Sequence, residues 1–187
     1  MRRVLMTLFV GLAAFLVYGL AVDSPFTLYY LPITLVLTGA IALVHRAARF
    51  PEPVLWALVA VALGNVAGGV LLVEGRPLYM LDMIGPVRYD KLFHTAATGV
   101  AAWAAWAALL RWSGPQAAPG GLAFAAVLMA CGAGALVEVV EYAGTVIFEN
   151  TNVGDYGDNM LDLTVNLVGA VAVALVLWRR TAREALR

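Results

Sequence analysis

Three side chains able to bind metal ions or move protons, His94, Glu138 and Asp162, stand within stretches otherwise dominated by apolar residues. Each has a charged companion: Asp90 four residues before His94, Glu141 three after Glu138, and Asp158 four before Asp162. Spacings of three and four put both members of a pair on one face of a helix. One imidazole among several carboxylates is a donor set suited to Mg, Mn, Fe or Zn, and helix bundles build such sites from facing helices. With Asp155 included, six carboxylates cannot all stay ionised in a poorly solvated pocket, because like charges at short range disfavour one another. Bound cations, trapped protons, or the neighbouring Arg88 and Lys91 must offset them. Asp90, His94, Glu138 and Asp162 are therefore candidate metal ligands, with Glu141 and Asp158 as candidate catalytic bases. No HExxH-type signature identifies the metal.

The elements that carry these residues follow from composition. The chain has 187 residues, 63% hydrophobic and 13% charged, with a mean hydropathy of +0.86. That excludes a soluble monomer, for which about 25% charged residues would be usual. Twelve basic residues balance twelve acidic ones, so no net field draws the chain to nucleic acid. The single cysteine, Cys131, leaves no disulfide and no thiolate metal site.

A helical span needs about 20 apolar residues to cross the bilayer's hydrocarbon. Six stretches qualify, at about 4–22, 27–44, 54–73, 92–112, 122–142 and 160–178. Each is continuous, unlike the short alternating strands of a membrane barrel. Turn formers separate them, among them Asp23-Ser24-Pro25, Pro51-Glu52-Pro53 and Ser113-Gly114-Pro115. The expected fold is an all-α polytopic transmembrane bundle, a single integral membrane domain over 1–187. With both termini cytoplasmic, nine basic residues lie inside, including Arg2, Arg46, Arg111, Arg179 and Arg187, against Arg76, Arg88 and Lys91 outside. Met1-Arg2-Arg3, an apolar run and a small residue near Ala21 also fit a cleaved signal peptide. Its removal would leave five spans, each with the same direction.

Counting 1.5 Å per residue from the cytoplasmic ends puts His94, Glu138 and Asp162 at about 27, 26 and 24 Å on three different helices. Asp90, Glu141 and Asp158 form a second tier at about 30–33 Å. Ten of the twelve acids fall on the outer half, a skew the bilayer does not impose. Thr98 and Asn166 prolong two of the polar stripes inward.

Simpler roles compete for the same residues. Asp90, Asp155 and Asp158 suit solvated helix starts, where caps and the helix dipole favour acids. Glu138 and Asp162 suit an interhelical polar lock, and Asn65 and Asn166 suit packing hydrogen bonds. Gly64 and Gly68, and the run Ala130, Gly132, Gly134 and Ala135, predict that the third and fifth helices are interior. Pro32 predicts a kink in the second. Tyr89, Tyr142, Tyr156, Trp112 and Trp178 read as interfacial belts. The connection from Glu74 to Arg88 is the longest on the outer side and could lie over the site as a lid.

Three blocks, Tyr89-Asp90-Lys91-Leu92-Phe93-His94, Glu138-Val139-Val140-Glu141 and Gly154-Asp155-Tyr156-Gly157-Asp158 with Asp162, resemble the YjdF-like family of inner-membrane proteins. Asp158-Asn159-Met160-Leu161-Asp162 with Asn166 and Gly169 is similar to the VanZ-like family, whose members also open a helix with Asp-Lys-x-x-His. The chain departs from the YjdF-like pattern at Phe93, where Gly is usual, and at Tyr156-Gly157 beside Asp158. Neither departure removes an ionisable group. The resemblance spans the last three helices and implies a membrane protein of the cell envelope; it points to the same residues without implying a reaction.

These observations favour a metal-dependent membrane enzyme, a hydrolase or transferase acting on a lipid or lipid-linked substrate at the plasma membrane. A proton- or cation-coupled transporter is the alternative, although no ionisable residue continues the route inward along the last three spans. A non-catalytic envelope protein held by a polar lock is the third reading. Membrane lipids are the expected surroundings, and no nucleic-acid partner is expected.

Overall fold

Within hydrocarbon, backbone N–H and C=O groups find partners only along a helix or around a closed barrel, so long apolar runs must become helices. In a computed structural model, which describes residues 1–114, 117–148, 151 and 153–184, six do. They are α1 (Arg2–Ala21), α2 (Thr27–Ala48), α3 (Glu52–Val70), α4 (Tyr89–Ser113), α5 (Pro119–Ile147) and α6 (Tyr156–Glu184). Each is long and apolar enough to cross a membrane. Pro115 and Arg187, used above for a turn and for the charge balance, lie outside the described residues.

The helices overrun most of the apolar stretches, since backbone hydrogen bonding does not stop where hydropathy falls. The sixth begins at Tyr156 rather than 160, because Asp155 caps it: its Oδ1 accepts from the Asp158 N–H at 3.0 Å. The third is shorter than expected, ending at Val70. Beyond it the connection to α4 folds into two hairpins, β1 (Leu72–Val73) with β2 (Arg76–Pro77) and β3 (Asp82–Ile84) with β4 (Val87–Arg88). Their turns, Glu74-Gly75 and Gly85-Pro86, rest on positive φ angles at Glu74, Gly75 and Gly85. Between the hairpins Tyr79 is buried, and its phenol donates to Asn65 Oδ1 at 2.6 Å. Burial pushes that phenol's pKa well above its ordinary value, so it stays a donor. Asn65 donates to Thr34 Oγ1 at 2.9 Å, the packing role expected of it. α2 runs through Pro32 without ending.

The central helix is α4, with 44% of its apolar window buried, against 33% for α3 and 22% for α5. The expectation that α5 is interior is thus corrected. Gly132 faces open space and Ala135 is exposed, whereas Ala130 and Gly134 turn inward. Small residues permit close approach, but the rotation of the helix decides which of them use it. Tyr89 is also corrected. Instead of sitting in a belt it stacks on Phe93 and donates to the Gly64 carbonyl at 3.0 Å. Tyr142, Tyr156, Trp112 and Trp178 are exposed, as an interfacial role requires.

Helices α4 and α6 run parallel, with α5 antiparallel to both, and meet in layers one helical turn apart. His94, Glu138 and Asp162 form the first layer. Thr98, Gly134 and Asn166 form the second, and Ala102, Ala130 and Ala170 the third. Steps of four residues on every helix keep the three faces in register. At Gly169 the α4 and α6 backbones touch, and an added Cβ would collide with the Thr95 carbonyl oxygen.

Candidate metal centre

His94 is buried, 7% exposed, and both ring nitrogens face carboxylates. Nδ1 lies 3.5 Å from Glu138 Oε1, and Nε2 lies 3.5 Å from Asp90 Oδ1 and 3.8 Å from Asp162 Oδ1. A neutral imidazole has one N–H and can donate to one side only. The other side therefore calls for a proton or a cation. Glu138 and Asp162 are as buried as the histidine, and water cannot screen them as it would at a surface.

The largest feature that the sequence reading left in the background is Lys91. Its ammonium lies 2.8 Å from Asp90 Oδ2, 2.8 Å from Asp158 Oδ1, and 2.8 and 2.9 Å from the two oxygens of Asp162. Three N–H bonds thus serve three carboxylates on two helices. The signal was available: a lysine at the very edge of an apolar span, with an acid one residue before it and two more at the start of the sixth helix, calls for pairing with them. Arg88 adds a weaker contact, 4.0 Å from Asp158. Asn159, given no role in the sequence reading, donates to Glu138 Oε2 at 2.9 Å.

Asp90, His94 and Asp162 each offer a donor atom, all within 4.8 Å of one another. Ligands of one Zn²⁺ or Mg²⁺ at bonds of about 2.0–2.2 Å lie roughly 3–3.5 Å apart. The separations of 3.5 and 3.8 Å around Nε2 are at and just above that range, and the set as a whole spans up to 4.8 Å, so the ligands must draw together to share one ion. Glu138 faces the opposite nitrogen, so its carboxylate lies outside this group of three. One imidazole cannot turn both nitrogens to one ion, which separates Glu138 from the set read from sequence.

The second tier does not form as a unit. Asp90 and Asp158 meet through Lys91, while Glu141 stands apart on a cavity wall, with no hydrogen bond from the described residues. Asp155 is an exposed cap rather than a member of the cluster.

Two cavities meet here. The polar one, about 140 Å³, is bounded by Arg88, Asp90, Glu138, Asp158 and Asp162, with Tyr79 and Met80 of the α3–α4 connection on its wall. The apolar one, about 130 Å³, runs between α2 and α5, with His94, Thr98 and Asn166 on its inner side. Tyr30 and Glu141 belong to both.

The chain belongs to the family described as Predicted membrane protein (DUF2238), whose model matches residues 3–183. The match takes in the first three helices as well as the three that carry the motifs. No curated protein and no solved structure matches the chain.

Proposed function

We propose that this protein is a membrane-embedded, metal-dependent hydrolase or transferase of the plasma membrane, acting on a lipid or lipid-linked envelope substrate at the outer leaflet. The observation that carries the reading is that Asp90, His94 and Asp162 converge beside a polar cavity that adjoins an apolar one. A reacting group could sit in the first while its hydrocarbon stays in the bilayer. A divalent ion held there would polarise a phosphoryl or carbonyl oxygen and make water a stronger acid.

The chain's own residues would divide the remaining work. Asp90, His94 Nε2 and Asp162 are the donors. Glu138, on Nδ1 and steadied by Asn159, would orient the imidazole. Glu141, which borders both cavities, would take the proton from the attacking group. Asp158 is the second candidate base, restrained by its contact with Lys91. The excess of basic residues at the opposite ends of the helices supports an outward-facing site. The motif resemblance to YjdF-like and VanZ-like proteins supports an envelope role.

The test is metal analysis of protein purified without chelator. One divalent ion per chain is expected in wild type and substantially less in His94→Ala and Asp162→Asn. Absence of metal from correctly folded wild type overturns the reading. In that case Lys91 favours the second reading, a polar lock, since its ammonium alone engages three carboxylates.

A further inference from the structure

The cavity between α2 and α5 is apolar only in part. It follows α2 from Tyr29 to Ile41, about 18 Å at the rise of a helix, and polar side chains line it at successive levels. Tyr29 and Glu141 stand at the site end, Asn65 and Thr34 further in, and Thr38 one turn beyond them. Three of these have bonding capacity left. The Tyr29 hydroxyl, 3% exposed, has no hydrogen-bond partner among the described residues. Glu141 accepts no hydrogen bond from those residues. Asn65 gives one N–H to Thr34 and accepts from Tyr79, which leaves its second N–H. Water is the usual partner of buried polar groups that protein atoms leave unmatched. A cavity of about 130 Å³ has room for roughly four water molecules at their liquid volume.

Glu141 also lines the polar cavity, so its carboxyl group is shared by the two. At the far end Ile41 and Leu58 line the cavity and pack on the apolar cluster of Ala48, Phe50, Val54 and Ala108. Beside that cluster, one turn past Ile41, stands His45, whose Nδ1 accepts from the Phe50 N–H at 3.0 Å. The deeper polar residues of this route, Thr34, Thr38 and Asn65, belong to α2 and α3, so counting along the last three helices does not reveal them.

We propose that this cavity is a water-filled half-channel that conducts protons from the carboxylate cluster into the bundle, with Glu141 as the relay and the cluster around Ile41, Leu58 and Phe50 as the gate to the opposite side of the membrane. The titratable groups that face it are Tyr29, Tyr30, His94 and Glu141, and Glu141 is the one that also faces the polar cavity as a carboxyl group. A proton binds Glu141 from the polar cavity and leaves it for the first water of the half-channel. Each later step breaks one O–H bond and forms another, and the membrane potential drives the charge with no further reactant. Carboxyl groups within a membrane serve such relays, and apolar constrictions gate them by excluding water. A metal ion would need about six oxygens around it, more than walls built on Ile33, Leu37, Val137 and Val140 offer. The route uses neither the metal nor a substrate, and so goes beyond the reading of the site as an enzyme.

The test is proton flux into liposomes that contain the purified full-length protein. Vesicles loaded with K⁺ are diluted into K⁺-free buffer, valinomycin sets an interior-negative potential, and trapped pyranine reads proton entry. Wild type is expected to acidify the interior faster than protein-free vesicles, and Leu58→Asn, which wets the gate, faster still. Glu141→Gln, which cannot exchange a proton, should lose the excess rate in both backgrounds, and Leu37→Trp, which fills the cavity, should lose it in wild type. Val36→Trp, on a face of α2 that is 72% exposed, should keep the wild-type rate. Rates equal to protein-free vesicles in both wild type and Leu58→Asn overturn the inference, whether or not the other variants fold. Full flux in Glu141→Gln and Leu37→Trp overturns it too, because the protons then cross elsewhere.

Discussion

At the scale of single residues, Lys91 decides how the site is balanced. Asp90, Asp158 and Asp162 all approach it within 2.8 Å, so removing its charge leaves three carboxylates facing one another. Breaking a buried pair by deleting one partner costs roughly 3–5 kcal/mol, less where water reaches the acids. Lys91→Met is therefore expected to lose about 2–4 kcal/mol of stability, read as a lowered Tm in detergent. Adding Asp158→Asn should recover part of the loss, since one repelling charge is gone. The same variant separates the two readings of the site. If the carboxylates and His94 bind divalent ions, losing the competing ammonium strengthens that binding, and added Mn²⁺ or Zn²⁺ should raise the Tm of Lys91→Met more than that of wild type. A polar lock predicts no such selective rescue.

At the scale of elements, the site exists because α4 and α6 approach closely enough for His94 and Asp162 to share a layer. Gly169 sets that approach, since its missing Cβ would collide with the Thr95 carbonyl. Gly169→Ala should push the helices apart, costing about 1–3 kcal/mol as overpacking does, and should lower metal retention even though no ligand is changed. Gly132→Ala, facing open space, should stay within about 0.5 kcal/mol of wild type. Counting residues along three helices was enough to place His94, Glu138 and Asp162 at one height, because rise per residue is a property of the backbone. Rotation about each axis was not legible in that way. It determines that Glu138 meets Nδ1 rather than Nε2, that Lys91 reaches Asp158 and Asp162 on α6, and that Gly132 points away while Gly134 points in. The hairpins between α3 and α4 were missed because their strands are only two or three residues long, too short to show alternation. Glu74-Gly75 and Gly85-Pro86 were the available turn signals.

At the scale of the whole molecule, charge is sorted between the two ends of the bundle. The last turns of α2, α4 and α6 carry Arg46, Arg111 and Arg183, while the first turns of α4 and α6 carry Asp90 and Asp158. Both patterns suit the helix dipole, which favours cations at C-termini and acids at N-termini. The arginines also suit retention on the cytoplasmic side, whereas the dipole alone carries no information about which side that is. Topology therefore needs its own test. With Cys131→Ala as background, Pro86→Cys at the tip of the second hairpin should react in intact cells with a membrane-impermeant maleimide. Gly120→Cys at the start of α5 should react only after permeabilisation. The opposite pattern would leave six crossings and the carboxylate cluster unchanged, but would open the polar cavity to the cytoplasm. The substrate would then have to come from the inner leaflet, because the cluster sits at one end of the helices, with the alanine layer of Ala102, Ala130 and Ala170 packed beneath it between α4, α5 and α6.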